Sequence, residues 1–302
     1  TALSLRIFLM LIGYYGVTLP DSTFDAMGFE RGAWERASSD FFDIILKYPP
    51  DSNYIKSVIA VPYSLFGRSL LMAQSISLFF GMGSVVLGWL LARKLWNKHN
   101  ATKVAWILAI FPSLVLYSVL TLREIYACFF LLLALIGVVN WIREKNYKSL
   151  ILAMFGFFGA TLFHGGIIVG GMIFLSFVVI DSFNDLVKLS LRHHINLKKL
   201  FIVAIAITFL TFFFLNKIFI PKLGTFEDAI NLGRLINESE WRLKGDASYP
   251  DWLRVETPIQ FFTIGLIRIP YFLFSPFPWD VSKLIHLSGT LDGFLYLCLI
   301  YL

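Results

Sequence analysis

Two acidic residues follow the first apolar segment at a spacing of one helical turn. Asp21 and Asp25 are four residues apart, so a helix through both would place their carboxylates on one face. A carboxylate that is partly withdrawn from water can act as a general base toward a hydroxyl group. The same residues could instead cap the helix and complement its dipole. Their spacing leaves both interpretations open.

The segment around these acids carries helix-start chemistry. Ser22 with Asp25 three residues later resembles a capping box, which predicts that a helix begins there. We expect Glu30, Glu35 and Asp40 to form the solvated face of this helix, with Arg31 and Glu35 as an i,i+4 ion pair.

Two short connections between apolar runs hold further polar side chains. Arg123 and Glu124 lie in the tight turn "LTLREIYA", and His164 lies in "FHGGI". Arg123 could bind an anionic phosphate through its guanidinium group, and His164 could contact a phosphate or a sugar hydroxyl. Both could equally be ordinary turn residues at the level of the lipid headgroups.

Three arginines nearer the end of the chain are candidate phosphate ligands. Arg268 lies about ten residues inside an apolar run, where a charge normally faces a cavity or a partner. Pro270 would free backbone groups beside it. Arg234 and Arg242 belong to a long polar segment, 217–257, with interleaved Trp and Tyr residues that suit membrane-interface anchors or sugar platforms.

The composition predicts a membrane protein. Hydrophobic residues make up 57% of the chain, charged residues only 15%, and the mean hydropathy is +0.72, which excludes an ordinary soluble domain. We therefore expect an all-α polytopic transmembrane bundle of about nine spans. Residues 1–302 would be one transmembrane domain, a fragment of a longer protein because both ends lie in apolar runs. The expected spans are 3–19, 70–92, 104–120, 124–142, 150–164, 166–181, 200–216, 258–275 and 286–302.

The distribution of Lys and Arg predicts the orientation. The short connections 93–103, 143–148 and 181–199 are basic and should be cytoplasmic. The two long polar segments, 20–69 and 217–257, then face outward, and 20–69 should form interfacial helices around the "YPP" break. The net charge of +6 is accordingly a topology signal, and no nucleic-acid partner is expected.

The sequence indicates no cofactor. It contains no Walker loop, GxGxxG, HExxH or GxSxG pattern. Cys128 and Cys298 stand alone in apolar runs without metal-ligand spacing. We predict no metal ligands; a divalent metal is possible chemically but nothing indicates one.

The first half of the chain resembles the GT-C membrane glycosyltransferases. The likeness rests on "PDSTFDAMGFE", on "YPPDSNYIKSVIAVPYSLFGRSLLMAQSISLFFGMGSVVLGWLLARKLW" and on "AWILAIFPSLVLYSVLTLREIYACFFLLLALIGVVNWIRE", and it covers roughly residues 10–145. Protein O-mannosyltransferase-like and aminoarabinose-transferase-like enzymes share this order: a span, an acid at its outer end, a loop with interfacial helices, then "LFG-S" and a "P…YS…RE" turn.

This resemblance implies an enzyme of the inner (cytoplasmic) membrane with a periplasmic or extracellular active site. It would transfer a sugar from a polyprenyl-phosphate-linked donor to a glycan, lipid or protein acceptor. The acid after the first span, Asp21 or Asp25, would be the catalytic base. The family often has two adjacent acids there, whereas Ser22 follows Asp21 in this chain, so the choice stays open.

Two alternatives remain. Polysaccharide polymerases of O-antigen and exopolysaccharide pathways, including EpsG-like proteins, place an Arg at an outer turn and a His two spans later; "LREIYACFF" and "FHGGIIVG" resemble that arrangement. A transporter or flippase of lipid-linked sugars belongs to another class. It should carry charges at mid-depth in several spans, and the sequence shows only Arg268 clearly in that position.

Overall fold

The computed structural model describes residues 1–39, 41–46, 54–190, 250–281 and 284–301, and six single positions between 204 and 234. Within these ranges the chain is helical and contains no β-strand. Short 3₁₀ turns lie at Gly165–Ile167, Asp251–Leu253 and Pro278–Asp280. The helices are α1 (Ala2–Tyr15), α2 (Phe24–Ala37), α3 (Phe41–Leu46), α4 (Tyr54–Phe66), α5 (Leu70–Leu95), α6 (Lys98–Ile110), α7 (Pro112–Tyr117), α8 (Glu124–Glu144), α9 (Tyr147–Phe163), α10 (Ile168–Ser190), α11 (Pro258–Phe274) and α12 (Leu284–Tyr301).

The chain is a helical membrane protein. Three stretches are long and apolar enough to cross a bilayer, namely Leu70–Leu95, Glu124–Glu144 and Gly165–Phe183. Five shorter apolar helices accompany them: Ala2–Tyr15, Tyr54–Phe66, Tyr147–Phe163, Thr263–Phe274 and Gly289–Tyr301. The nine predicted spans are therefore not confirmed, and the span expected at 200–216 lies outside the described residues.

The first compact unit, residues 1–110 and 114–225, is built around the antiparallel pair α8 and α9. Small residues allow these two helices to approach closely. A Cβ added at Gly137 would lie 2.7 Å from the Cα of Ala153, and one added at Gly156 would lie 2.6 Å from the Cα of Ala134. Close packing of small residues is how membrane helices associate without a hydrophobic driving force.

The predicted span 104–120 is wrong because the helix breaks at Phe111. Pro112 has no backbone N–H and so cannot bond the carbonyl oxygen of Leu108, one turn earlier. α6 ends at Ile110 and the short α7 follows it. A helix end inside a membrane protein needs new partners for its free carbonyls, and Arg6 of α1 supplies them.

Arg6 is fully buried and binds the broken end of α6. Its guanidinium group donates to the carbonyl oxygens of Ala109 (2.8 Å) and Leu108 (3.2 Å), and Nε donates to Oγ of Ser118 (3.2 Å). A fourth bond reaches the carbonyl oxygen of Ala2 on its own helix. Arg6 is thus a second charge inside an apolar helix, which the sequence analysis missed.

The polar segment after α1 folds into helices that pack on one another. α2 packs chiefly on α4, and α3 lies against α4. The predicted capping box is wrong: Thr23 is the N-cap residue of α2 and makes no side-chain cap bond, while the hydroxyl of Ser22 donates back to the carbonyl oxygen of Leu19 at 2.6 Å.

The prediction that Glu30 is solvated is also wrong. Glu30 is only 7% exposed. Its carboxylate accepts bonds from Nε (2.9 Å) and Nη2 (2.7 Å) of Arg68 and from the Tyr63 hydroxyl (2.9 Å). Tyr63 lies in the last turn of α4 and Arg68 precedes α5, so this cluster ties α2 to both helices. Asp40, the last acid of that predicted face, lies outside the described residues.

The second compact unit, residues 111–113 and 226–302, contains α11 and α12. A capping box starts α11: the backbone N–H of Gln260 donates to the Thr257 hydroxyl, and the Gln260 side chain accepts from the Thr257 N–H. α11 and α12 pack at Gly293, where an added Cβ would lie 2.9 Å from the carbonyl carbon of Phe274. The predicted helices 258–275 and 286–302 match these two elements closely.

Candidate functional site

The candidate site lies where α1 has ended and α2 and α8 begin, which we call the Asp21 end of the first unit. α1 stops at Tyr15, and residues 16–23 turn the chain into α2. Asp21 sits in this turn with a φ of 58°. That left-handed conformation is uncommon outside glycine, although Asp and Asn tolerate it better than other residues. Local backbone strain of this kind clusters at functional sites.

Asp21 is close to two other carboxylates. Its side chain is accessible to solvent, yet partial desolvation raises the pKa of its carboxyl group, and the negative charges of Glu124 and Asp25 raise it further. Glu124 stands 103 positions later in the chain, at the start of α8. The fold therefore brings together acids that the sequence places in separate segments.

The beginning of α8 is fixed against α2 by two contacts. The Thr121 hydroxyl donates to the carbonyl oxygen of Ala26 at 2.6 Å, and both residues are buried. The guanidinium carbon of Arg123 lies 5.8 Å from the centroid of the Phe29 ring, within cation–π range. Arg123 Nε also donates to Oε1 of Glu124 at 3.3 Å. Arg123 is thus paired with Glu124, one of the two acids whose negative charges raise the pKa of Asp21.

One oxygen of Glu124 has an unusual environment. Oε1 accepts the bond from Arg123, whereas Oε2 is shielded from solvent and accepts no hydrogen bond from the described residues. A shielded carboxylate oxygen without a donor costs free energy. This oxygen is therefore an available acceptor at the Asp21 end.

His164 lies at the same end of the α8–α9 pair as Glu124. The Phe163 and Tyr126 rings stack with their centroids 5.0 Å apart, which aligns the last residue of α9 with the first turn of α8. His164 follows directly, is exposed, and starts the 3₁₀ turn Gly165–Ile167. Five predicted site residues therefore share one end of one unit: Asp21, Asp25, Arg123, Glu124 and His164.

The remaining predicted site residues lie in the second unit or outside the described residues. Arg268 belongs to the second unit, where its Nε and Nη2 atoms donate to the carbonyl oxygen of Leu253 at 2.9 and 2.6 Å. Arg234, also in that unit, pairs with Asp228 at 3.1 Å. Arg242 lies outside the described residues.

Sequence reasoning missed Arg6, which had a local signal, and misassigned Glu30, whose signal lies in a distant partner. Arg6 interrupts the apolar run "ALSLRIFLML". Its bonds go to backbone carbonyls and to Ser118, so it completes the fold and gives no support to a transport path. Glu30 lies five residues after Asp25, and a basic residue, Arg68, precedes α5 as its partner.

The chemistry available at the Asp21 end is that of an accessible base near Glu124, which is itself paired with the cation Arg123. A carboxyl group with a raised pKa is a stronger base once it is ionised. The guanidinium group of Arg123 suits the oxygens of a phosphate. Among the described residues, no group of three or more His, Cys, Asp or Glu side chains is arranged to hold a metal ion.

Comparison with known proteins adds no relative to this picture. No protein-family model, curated protein or solved structure matches the chain.

Proposed function

We propose that the protein is a membrane glycosyltransferase that uses a polyprenyl-phosphate-linked sugar donor. The observation that carries the proposal is the environment of Asp21. Its carboxyl group is accessible, has a raised pKa, and sits in a strained turn directly after the first apolar helix, with Arg123 on the neighbouring α8 turn. A long-chain lipid donor would present its phosphate at such a helix end while its tail remains in the bilayer.

In this mechanism Asp21 removes the proton from an acceptor hydroxyl. The hydroxyl oxygen attacks the anomeric carbon of the sugar, and the bond between that carbon and the phosphate oxygen breaks. The electron pair leaves with the polyprenyl phosphate, so the configuration at the anomeric carbon is inverted. Asp25 is the alternative base, because it is exposed and lies near Asp21.

Arg123 would stabilise the departing phosphate. Its guanidinium group is held over Phe29 and bonded to Glu124, so its position is set before the substrate arrives. One preorganised donor aimed at a developing negative charge lowers a barrier by about 3 kcal/mol. Glu124 has the further role of keeping the pKa of Asp21 high.

The proposed location is the cytoplasmic membrane, with the Asp21 end on the periplasmic or extracellular side. Exposed Lys and Arg side chains concentrate at the opposite end of α5, α6, α8 and α9. Basic residues favour the cytoplasmic side of a membrane protein. The Asp21 end would then face a compartment that holds lipid-linked sugars but no nucleotide sugars.

Polysaccharide polymerisation is the second candidate, and His164 is the observation that favours it. Arg123 and His164 lie at the same end of α8 and α9. A polymerase would use a lipid-linked glycan as acceptor as well as donor, so its product would form a ladder of chain lengths. Under this alternative, His164→Ala would abolish the ladder, whereas a single-sugar transferase would form one product.

The test compares the acid-to-amide variants Asp21→Asn and Asp25→Asn with a control variant. Membranes holding the full chain are given a radiolabelled polyprenyl-phosphate sugar pool, and both sugar transfer and free polyprenyl phosphate are measured. We expect Asp21→Asn to lose at least about 100-fold in rate, the lower range for general base catalysis. Glu35→Gln, an exposed acid on α2, is the matched control and should keep full activity. Full activity in both Asp21→Asn and Asp25→Asn would sink the assignment of the base.

A further inference from the structure

The end of the first unit opposite Asp21 carries a dense group of cations, which we call the basic end. Four helix ends meet there: α5 and α8 finish while α6 and α9 begin. Seven cations, drawn from separate stretches of sequence, lie within about two turns of these ends. They are Arg93, Lys94, Lys98, Lys103, Arg143, Lys145 and Lys148.

Few acids oppose these charges. The acidic side chains described at this end are Glu144 and Asp181. Asp181 of α10 pairs with Lys145, and Glu144 accepts a bond from the side-chain amide of Asn146. Within the described part of the chain, none of the other six cations forms an ion pair with a carboxylate. Uncompensated positive charge therefore remains on the surface.

The side chains between the cations have the amphipathic character of a membrane boundary. Trp96 is 62% exposed and Tyr147 is 57% exposed, and such rings favour the headgroup level of a bilayer. Arg93 lies over the Trp89 ring, 5.2 Å from its centroid. This contact holds its guanidinium group beside the apolar surface of α5. Long basic side chains in this setting reach from apolar surface toward charged headgroups.

We propose that the basic end binds the phosphate headgroups of anionic phospholipids. Clusters of four to eight Lys and Arg beside membrane helices attract acidic lipids, with about 1 kcal/mol from each cation near the surface. Phosphate diesters also accept charge-assisted hydrogen bonds from Lys and Arg. The occupant is a lipid because the cations ring the ends of apolar helices. This inference is independent of the proposed sugar transfer.

The test measures lipid selectivity on the purified full chain. Native mass spectrometry is recorded from micelles with equal amounts of dioleoylphosphatidylglycerol and dioleoylphosphatidylcholine. The wild type should retain the phosphatidylglycerol preferentially. Lys98→Gln/Lys148→Gln removes two exposed cations that pair with no carboxylate among the described residues, and should weaken this binding about 30-fold, the equivalent of two surface charges. Circular dichroism checks that the variant stays folded.

The matched control removes two cations from the other end of the same unit. Arg31→Gln/Lys56→Gln changes the net charge equally and should leave the preference intact. Equal retention of both lipids by the wild type would overturn the proposal, and so would an equal loss in both double variants. Complete displacement of the lipid by about 10 mM inorganic phosphate would indicate a free-phosphate site and would also overturn it.

Discussion

Glu30→Gln removes one negative charge from a buried cluster while nearly preserving shape. The native carboxylate accepts three hydrogen bonds, two from Arg68 and one from Tyr63. A glutamine keeps one carbonyl oxygen as an acceptor. Its amide nitrogen would face Nη2 of Arg68, where neither group can accept the other's proton. The substitution therefore weakens the tie between α2, α4 and the start of α5.

The size of the effect follows from the bonds that change. A hydrogen bond to a charged group contributes about 1.5–3 kcal/mol, and a neutral one about 1 kcal/mol. Arg68 keeps 47% of its side chain in solvent, so the lower end of the charged range applies. One bond is lost and two become weaker, while the lower desolvation cost of an amide offsets part of the loss. We expect the free energy of unfolding to fall by about 2 kcal/mol.

The assay is reversible unfolding by sodium dodecyl sulfate in mixed micelles, followed by circular dichroism. Arg68→Gln should destabilise more than Glu30→Gln, because it leaves Glu30 buried without its cation. Glu35→Gln is the control, since that acid is exposed on the same helix. A loss below about 0.5 kcal/mol for Glu30→Gln, the range of ordinary surface substitutions, would refute the account of the cluster.

The pH dependence gives the same experiment a second readout. Hydrogen bonding from Arg68 lowers the pKa of Glu30 below its ordinary value. A carboxyl group with a depressed pKa in the folded state stabilises the protein above its unfolded-state pKa. That stability is lost as the pH falls through the folded-state value. Wild type and Glu30→Gln should therefore converge in stability on acidification, and a constant difference down to the folded-state pKa would contradict the assignment.

Three further predictions follow from single contacts. Glu124→Gln removes a charge that raises the pKa of Asp21. The acid limb of the pH–rate profile for sugar transfer should therefore move to lower pH. An unmoved limb would show that Asp21 is not the titrating base. Thr121→Val deletes the bond to Ala26 and should cost about 1 kcal/mol in the same unfolding assay, whereas Thr121→Ser should cost less because it keeps the hydroxyl. Arg6→Leu leaves the Leu108 and Ala109 carbonyls without their donor and should cost about 3 kcal/mol; a neutral result would mean that water replaces the guanidinium.

Local sequence signals predicted the positions of the helices better than they predicted the lengths of the helices. The spans expected at 70–92 and 124–142 correspond to α5 and α8, because both are long apolar runs bounded by polar residues. The span expected at 3–19 is shorter in the structure, since α1 ends before Gly16 and its 14 residues rise only about 21 Å. Hydropathy registers apolar character, and it does not register where backbone hydrogen bonding stops.

The grouping of five predicted site residues at the Asp21 end depends on tertiary contacts. Sequence analysis selected Asp21, Asp25, Arg123, Glu124 and His164 from separate turns that its topology put on one outer face, yet it could not tell whether their side chains converge there. The α8–α9 pairing aligns His164 with Glu124, and the bond from Thr121 to Ala26 brings α2 to α8. Both depend on contacts between residues far apart in sequence.

Glu30 was misassigned for a related reason. The sequence analysis grouped Glu30 with Glu35 as a solvated acid, and nothing local distinguishes the two. The partner that keeps Glu30 charged inside the fold is Arg68, 38 positions later, after two intervening helices. Buried carboxylates occur almost only with such a partner, so burial of Glu30 depends on a tertiary pairing that periodicity alone cannot supply.

The residues that hold α2 in place differ from Asp21, which lies in the turn before this helix. Glu30 and Ala26 hold the helix to its neighbours, whereas α2 begins without any side-chain cap. A raised pKa means that ionised Asp21 is less stable in the folded chain than in the unfolded one, so its contribution to stability falls as pH rises through that range. Asp21→Asn keeps a residue that tolerates the left-handed backbone, and it should therefore leave stability at neutral pH unchanged or higher. Ionised Asp21 therefore lowers the stability of the fold, and this supports its proposed role as a base over a structural role.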